Sequence, residues 1–208
     1  MTFDTYEIVK NCGSKKEDMR IALNAVIDEY KPIFEDHSGK VRMVALDTSS
    51  TESGYAYFEA GDLKDSGIIN HEKEKDPEIR VEDMVMSLYN ILNTYIPDIV
   101  VIENNVVGRN AKTERMLGHI VGCINGWALS NFKEFVKIRP SEWRKAVKGD
   151  IVCPRKRDEA KKWSINRTAE LYHIWVNDNE ADAILLGTGY VRMMDALKCE
   201  QCKDNQGI

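Results

Sequence analysis

The sequence lacks the features that mark secreted, membrane-spanning and repetitive proteins. No apolar run approaches the roughly 18 residues that a membrane span needs. The first ten residues hold no basic stretch followed by an apolar one. No period repeats along the chain, and no linker rich in proline, glycine or serine divides it. We therefore expect a cytoplasmic protein that does not associate with membranes.

Cysteine is scarce, and its spacing matches no familiar framework. The five cysteines are odd in number and scattered, which suits reduced thiols better than disulfides. Cys199 and Cys202 have the spacing of half a zinc site, but a second pair with comparable spacing is missing. Two alternatives therefore stay open for this pair, a metal site and two surface thiols near a polar tail.

The signature motifs of several enzyme classes are also missing. The chain has no His-Glu-x-x-His, no Gly-x-Ser-x-Gly and no Gly-x-x-x-x-Gly-Lys-Ser/Thr. These absences argue against a zinc hydrolase of that type, a serine hydrolase and a phosphate-loop ATPase.

The composition is that of an ordinary globular protein. The chain has 208 residues, of which 43% are hydrophobic and 30% are charged, with 13 Gly and 5 Pro. This mix excludes collagen-like and wholly disordered chains, and the length suits one elaborated domain. We predict an N-terminal helical extension over 1–40, a main domain over 41–196 and a loose polar C-terminal tail over 197–208.

Charge is distributed unevenly along the chain. The total is -5, but the segment from Lys137 to Arg167 holds eleven basic and four acidic residues, a net charge of +7 that leaves -12 for the rest. Trp143 and Trp163 lie within this segment. A polyanion could bind there, or the segment could be a solvated helix face with its tryptophans packed inward, and Trp143 is expected in the core.

Apolar spacing predicts an α/β fold with a mixed sheet. Helical spacing covers 15–34, 77–95, 113–131, 155–174 and 179–194, and short apolar runs of strand length lie at 41–46, 55–58, 67–69, 99–102 and 135–138. The first strands form an antiparallel hairpin. The later strand, helix, strand order is typical of a crossover between parallel strands. We expect this sheet to be flanked by helices.

One predicted helix contains three regularly spaced glycines. Gly118, Gly122 and Gly126 are four residues apart and therefore lie on one helix face. Each glycine costs a helix about 1 kcal/mol relative to alanine. We expect the face to permit close approach, by the sheet or by the helix of a second subunit.

Three carboxylates occupy comparable places in this layout. Asp47 ends the first strand, Glu103 ends the crossover strand, and Asp182 is expected in the first turn of the last helix. In an open α/β sheet, functional residues gather outside the carboxyl ends of the strands. Clustered carboxylates repel one another unless a cation neutralises them, so a shared Mg²⁺ or Mn²⁺ is implied. Two such ions suit phosphodiester hydrolysis.

Four segments together resemble the RuvC branch of the ribonuclease H-like nucleases. They are Val44-Ala45-Leu46-Asp47-Thr48-Ser49-Ser50 with Gly54-Tyr55-Ala56, then Val100-Val101-Ile102-Glu103, then Leu117-Gly118-His119-Ile120-Val121-Gly122, and last Ala181-Asp182-Ala183-Ile184. Each segment is weak evidence alone, but their order and spacing match over about residues 41 to 194.

The resemblance implies a ribonuclease H-like fold and a metal-dependent DNA junction endonuclease that acts as a homodimer. The carboxylates that match the family's metal ligands are Asp47, Glu103 and Asp182. The helix from Met116 to Leu129 matches the one that packs across the dimer two-fold, which would give the glycine face its purpose.

Two positions depart from the bacterial pattern. Bacterial members usually carry a fourth acid where this chain has Asn179, so the fourth ligand is either Asn179 itself or one of its neighbours, Asp178 and Glu180. We favour Asp178 because a carboxylate neutralises charge and an amide does not. The aromatic residue that follows the second acid in bacterial members is replaced by Val106 and Val107, which predicts relaxed sequence preference at the cut.

The expected substrate is a four-way or otherwise branched DNA. Seven basic residues are candidates for phosphate contacts, namely Lys145, Lys148, Arg155, Lys156, Arg157, Lys161 and Lys162. The N-terminal extension and the basic segment are absent from the bacterial pattern and suggest a phage member acting in the host cytoplasm. Two alternatives stay open, a ribonuclease H-like nuclease directed at RNA and a non-catalytic junction-binding protein.

Overall fold

The computed structural model describes residues 40–104, 111–150 and 152–204, with backbone only for 198–204. The predicted helix over 15–34, Val106 and Val107 lie outside these ranges, as do the side chains of Cys199 and Cys202. The described strands are β1 (Arg42–Asp47), β2 (Glu52–Glu59), β3 (Asp62–Asn70), β4 (Ile99–Glu103) and β5 (Glu134–Ile138). The described helices are α1 (Pro77–Tyr95), α2 (Ala111–Ser130), α3 (Pro140–Val147), α4 (Arg157–Tyr172) and α5 (Asp178–Asp204).

The five strands form one mixed sheet in the order β3-β2-β1-β4-β5. The first three strands pair antiparallel, and β1 pairs parallel with β4, which pairs parallel with β5. This confirms the predicted combination of an antiparallel hairpin with a parallel crossover. Strand β3 is longer than the 67–69 run indicated, because its outer residues are largely exposed and polar and carry no apolar pattern.

Local sequence explains where α1 begins and ends. The Asp76 carboxylate accepts hydrogen bonds from the backbone N–H groups of Glu78 and Ile79, at 2.8 and 3.2 Å, and Pro77 opens the helix. The helix ends at Tyr95, and Ile96 follows in the left-handed conformation with φ 44°. Both boundaries agree with the range 77–95 that the apolar spacing predicts.

Hydrophobic cores lie on both sides of the sheet. Helices α1 and α2 cover one side, where Leu88 and Ile124 are fully buried. Helices α3, α4 and α5 cover the other, where Trp143, Ile184 and Leu185 are fully buried. Trp143 is therefore a core residue, as expected.

Two helices differ from the sequence prediction. Helix α3 was not predicted, because only Trp143 and Val147 of its eight residues are buried and the rest are largely polar. Helix α5 continues to Asp204 instead of ending at Met194, so the described part of the expected loose tail is helical. Because α5 begins at Asp178, Asp182 lies in its second turn rather than its first. None of the described helices combines the length and apolar character that a bilayer crossing requires.

Candidate metal and active site

The carboxyl ends of β1 and β4 bring two of the predicted acids together. Asp47 is the last residue of β1 and Glu103 the last of β4. The two strands are parallel neighbours, and Leu46 pairs with Ile102 one residue before each acid. The two carboxylates therefore leave the same edge of the sheet side by side, as the strand-end argument predicted.

A close backbone contact brings helix α5 to the same edge. Gly54 pairs with Asp47 across the β1–β2 ladder. A Cβ on Gly54 would lie 2.0 Å from the carbonyl oxygen of Asn179, so only glycine lets the start of α5 approach β2 this closely. Asp182, one helical turn further along α5, is thereby placed over the ends of β1 and β4.

The three carboxylates are coupled electrostatically. Burial raises the pKa of Asp47 well above its usual value, and the charges of Asp182, Glu103 and Asp178 raise it further. Burial likewise raises the pKa of Glu103 and raises that of Asp182 to about 6. Each group thus resists ionisation unless positive charge is supplied.

Neutral hydrogen-bond donors hold two of these acids. The indole Nε1–H of Trp143 donates to Glu103 Oε2 at 2.8 Å, and the hydroxyl of Ser164 donates to Asp182 Oδ1 at 2.5 Å. Both donors come from helices that were not linked to the acids in the sequence pattern. They lie 40 and 18 residues from their partners, so no local signal could have indicated them.

Asp178 and Asn179 face different surroundings. The charge of Asp178 acts on both Asp47 and Asp182, and its Oδ2 lies 2.5 Å from the Nζ of Lys161. The Asn179 amide instead donates to Glu52 Oε1 at 2.7 Å. Asp178 thus belongs electrostatically to the acid cluster, whereas Asn179 fastens the start of α5 to β2.

Glu180, the third neighbour considered for the fourth position, is also engaged elsewhere. Its Oε1 accepts a hydrogen bond from the Ser66 hydroxyl of β3 at 2.6 Å. Glu52 accepts further amide donors from Asn177 at 2.9 Å and from Asn70. These contacts tie the start of α5 to β2 and β3.

One arginine shares the site with the acids. The positive charge of Arg144 lowers the pKa values of Asp47, Glu103 and Asp182 against the stronger effect of burial. Its guanidinium carbon lies 4.9 Å from the centre of the Trp143 ring, and its Nε is buried without a hydrogen-bond partner. In the sequence, Arg144 is distinguished only as one of the eleven basic residues between Lys137 and Arg167.

The donor set fits a hard divalent cation. Carboxylate oxygens are the ligands that Mg²⁺ and Mn²⁺ prefer, and burial raises the pKa of each of the three acids, so their ionised forms would be stabilised by a bound cation. Within the described ranges, no three acidic, histidine or cysteine side chains lie close enough together to coordinate one metal ion as they stand. Glu103, Asp182 and Asp178 each contact a separate partner, namely Trp143, Ser164 and Lys161.

A basic cleft of about 640 Å³ lies beside the acid cluster. Four of the predicted phosphate contacts line it together with Arg144, and they are Lys145, Lys148, Arg155 and Arg157. Cys153, another lining residue, lies within electrostatic range of both Asp182 and Arg144. The cleft therefore opens next to the carboxylates.

The other three predicted phosphate contacts lie outside this cleft. Lys156 pairs with Glu159 at 3.2 Å, and Lys161 pairs with Asp178. Lys162 lines a second cavity, of about 540 Å³, with Trp163, Arg167 and other residues of mixed charge. The structure thus divides the seven candidates into a group of four and three separate residues.

The glycine face of α2 has no close neighbour among the described residues. Apart from the helix's own backbone, no described heavy atom lies within 4 Å of the position that a Cβ would take on Gly118, Gly122 or Gly126. The described sheet therefore does not approach this face as expected, and the approach of a second subunit stays a prediction. Leu129, near the end of the helix, leaves 67% of its surface exposed.

Comparison with known proteins places this architecture in a family. The family model described as "Crossover junction endodeoxyribonuclease RuvC" matches residues 43–186. A protein of that description from Chlorobium phaeovibrioides is 26% identical over 113 residues, which are 51% of this chain and 59% of the Chlorobium protein. The aligned stretch thus spans less than two thirds of that relative.

Two solved structures share the fold. The T. thermophilus RuvC complex with a Holliday junction substrate matches with a TM-score of 0.59 at 12% identity, over 75% of this chain and 96% of that one. The Fowlpox virus resolvase in complex with Holliday junction DNA matches with a TM-score of 0.52 at 17% identity, over 74% and 99%. The residues matched by the family model include Asp47, Glu103 and Asp182. The chain therefore belongs to the RuvC family, with its ribonuclease H-like fold.

Proposed function

We propose that the chain is a metal-dependent endonuclease that resolves Holliday junctions, and other branched DNA, by paired nicks. The observation that carries the proposal is the electrostatic coupling of Asp47, Glu103 and Asp182 at one sheet edge of a RuvC-family fold. A dimerisation module without catalysis has no need for three partly buried acids that raise one another's pKa.

The acids would hold the catalytic metal. Asp47, Glu103 and Asp182 supply carboxylate oxygens, and Asp178 is favoured over Asn179 as the fourth ligand because its charge acts on the cluster. Two Mg²⁺ ions, or Mn²⁺ in their place, would lower the pKa of the attacking water and stabilise the leaving 3′ oxygen. Asn179 then contributes by holding α5 in place.

The basic cleft would bind the phosphate backbone of the DNA. Arg144 lines the cleft and its charge also acts on the acids, so a strand bound along Lys145, Lys148, Arg155 and Arg157 would lie close to the carboxylates. Such contacts position a duplex arm without reading its sequence. Lys156, Lys161 and Lys162 would contribute from outside the cleft.

A homodimer completes the proposal. The open glycine face of α2, within the Met116 to Leu129 helix, permits close approach of the same helix from a second subunit. A two-fold dimer presents two active sites symmetrically, which matches a four-way junction with approximate two-fold symmetry. The long basic segment further supports a phage-encoded origin and action in the host cytoplasm.

The test compares three substrates. Purified protein is incubated with an immobile four-way junction, a linear duplex of the same sequence and an RNA–DNA hybrid, each with Mg²⁺ or EDTA. We expect symmetric, metal-dependent cuts on the junction alone. Cleavage of the hybrid instead indicates an RNA-directed nuclease, and tight junction binding without cleavage in Mg²⁺ or Mn²⁺ indicates a binding protein.

A further inference from the structure

We propose that Trp143 is a positioning residue that orients Glu103 for metal binding. The inference rests on the metal-ligand role of Glu103 in the proposed function. The indole N–H holds one carboxylate oxygen of Glu103 and would leave the other oxygen to bind the ion.

The hydrogen bond joins two rigid parts of the molecule. Trp143 lies in helix α3 and is completely buried, and its Nε1 lies 2.8 Å from Oε2 of Glu103 at the end of β4. A buried donor with a single direction constrains the carboxylate more tightly than a solvated lysine would. The rotamer of Glu103 is therefore fixed from outside the acid cluster.

Gly189 of α5 fixes the position of the indole. A Cβ on this glycine would lie 2.8 Å from Cβ and 3.0 Å from Cα of Trp143. Helix α5 therefore presses directly on the backbone of α3 at this point. Because Asp182 is on the same helix, the contact links the placement of two acids, Asp182 directly and Glu103 through Trp143.

The face of the same indole supports the cation of the site. The Arg144 guanidinium carbon lies 4.9 Å from the Trp143 ring centre. One side chain therefore sets the relative position of an acid, through its N–H, and of a cation, through its ring.

A neutral donor is suited to this task. A lysine or arginine bonded to Glu103 would bring a full positive charge that repels a divalent ion. An indole N–H carries no net charge, so it orients Glu103 without that repulsion.

The first experiment measures Mn²⁺ binding without DNA, by calorimetry and by the electron paramagnetic resonance signal of free Mn²⁺. Trp143→Phe keeps an aromatic ring for the core and for Arg144 but removes the donor. Trp127→Phe is the matched control, because Trp127 is also buried and donates to Asn93 Oδ1 at 2.8 Å on the other side of the sheet.

We expect Trp143→Phe to bind Mn²⁺ about 10-fold more weakly than the unchanged protein, within the range for partners of metal ligands. Trp127→Phe should bind Mn²⁺ with unchanged affinity, and both variants should lose similar thermal stability in EDTA. Unchanged Mn²⁺ affinity in Trp143→Phe overturns the proposal, as does an equal loss in both variants.

A second measurement needs no change at Trp143. In protein labelled with ¹⁵N at the indoles, four N–H signals are expected, and phenylalanine variants of the other three tryptophans identify the Trp143 signal. Addition of Mg²⁺ should shift the Trp143 signal and leave that of Trp127 in place. A Trp143 signal that does not move overturns the proposal, even if Trp143→Phe fails to fold.

These readouts test the positioning role of Trp143 and the proposed function separately. A protein that binds Mn²⁺ in a Trp143-dependent manner but leaves junctions intact contradicts only the proposed function. A protein that cuts junctions while Trp143→Phe binds Mn²⁺ normally contradicts only the positioning role.

Discussion

Gly54 of β2 lies directly against the carbonyl of Asn179, and this contact fixes the start of the helix that carries Asp182. Gly54 is also the ladder partner of Asp47. One residue without a side chain therefore determines how far the helix acid stands from the strand acid.

Gly54→Ala tests this relationship. Its methyl group would overlap the Asn179 carbonyl, so we expect a loss of about 3 kcal/mol in unfolding free energy and a shift of α5 that reduces cleavage. Urea unfolding and junction cleavage measure the two effects. Asp83→Ala is the control, because Asp83 is exposed on α1, outside both the acid cluster and the proposed dimer face, and its loss should change neither quantity by much. Equal stability of the two variants would show that the contact is not tight.

Asp182→Asn separates catalysis from binding. The amide is nearly the same size but cannot supply the charge that a divalent ion needs. We expect cleavage to fall by about 10³-fold or more, as for loss of a group acting at the reaction centre, while junction affinity in Ca²⁺ or EDTA stays unchanged. Gel-shift and cleavage assays on one substrate measure both. Undiminished cleavage would remove Asp182 from the metal site.

The two candidates for the fourth position can be compared directly. Asp178→Asn removes a charge that acts on Asp47 and Asp182, whereas Asn179→Ala removes only the amide bond to Glu52. We expect Asp178→Asn to raise the Mg²⁺ concentration for half-maximal cleavage, and Asn179→Ala to lower thermal stability with little change in that concentration. The reverse pattern would make Asn179 the ligand.

The raised pKa of Asp182 predicts a pH effect on stability. An unfolded aspartate releases its proton near pH 3.8, whereas folded Asp182 retains it up to about pH 6. The folded state therefore binds more protons in this interval, and the metal-free protein should lose stability as pH rises from about 4 to about 6. Thermal unfolding in EDTA measures this loss, which Asp182→Asn should reduce. Mg²⁺ should stabilise the protein increasingly above pH 6.

The basic cleft predicts a dependence on salt. Lys145→Ala and Arg155→Ala each remove one cation from the cleft, so each should weaken junction binding and reduce the slope of log affinity against log salt by about 1. Lys64→Ala is the control, because Lys64 pairs with Asp62 on β3. Slopes that match that of Lys64→Ala would exclude the cleft as the DNA path.

The sequence predicts the placement of Asp47 and Glu103 well, because strand ends have local signals, whereas Asp182 lies one helical turn further into its helix than the sequence indicates. Asp47 and Glu103 end apolar runs of strand length, and α1 is bounded by two prolines. The contacts that shape the site have no such signal. Trp143 and Ser164 reach their acids over long sequence separations, and both come from the charged segment, where the apolar pattern of α3 consists of only two buried residues.

The choice between Asp178 and Asn179 lies beyond sequence reasoning for a geometric reason. Successive residues on a helix point about 100° apart, so the start of α5 decides which of the two faces the acids. That start depends on Gly54 and on the amide bonds to Glu52, which are tertiary contacts. A shift of one residue would exchange the two surroundings.

The pairing of Lys161 with Asp178 also sets the charge balance of the site. When Asp47, Glu103, Asp182 and Asp178 are all ionised, Lys161 and Arg144 offset half of their negative charge. The remainder equals the charge of one divalent ion. Free protein should thus saturate with a single Mn²⁺, and a second should bind only when the phosphodiester of the DNA adds its own negative charge.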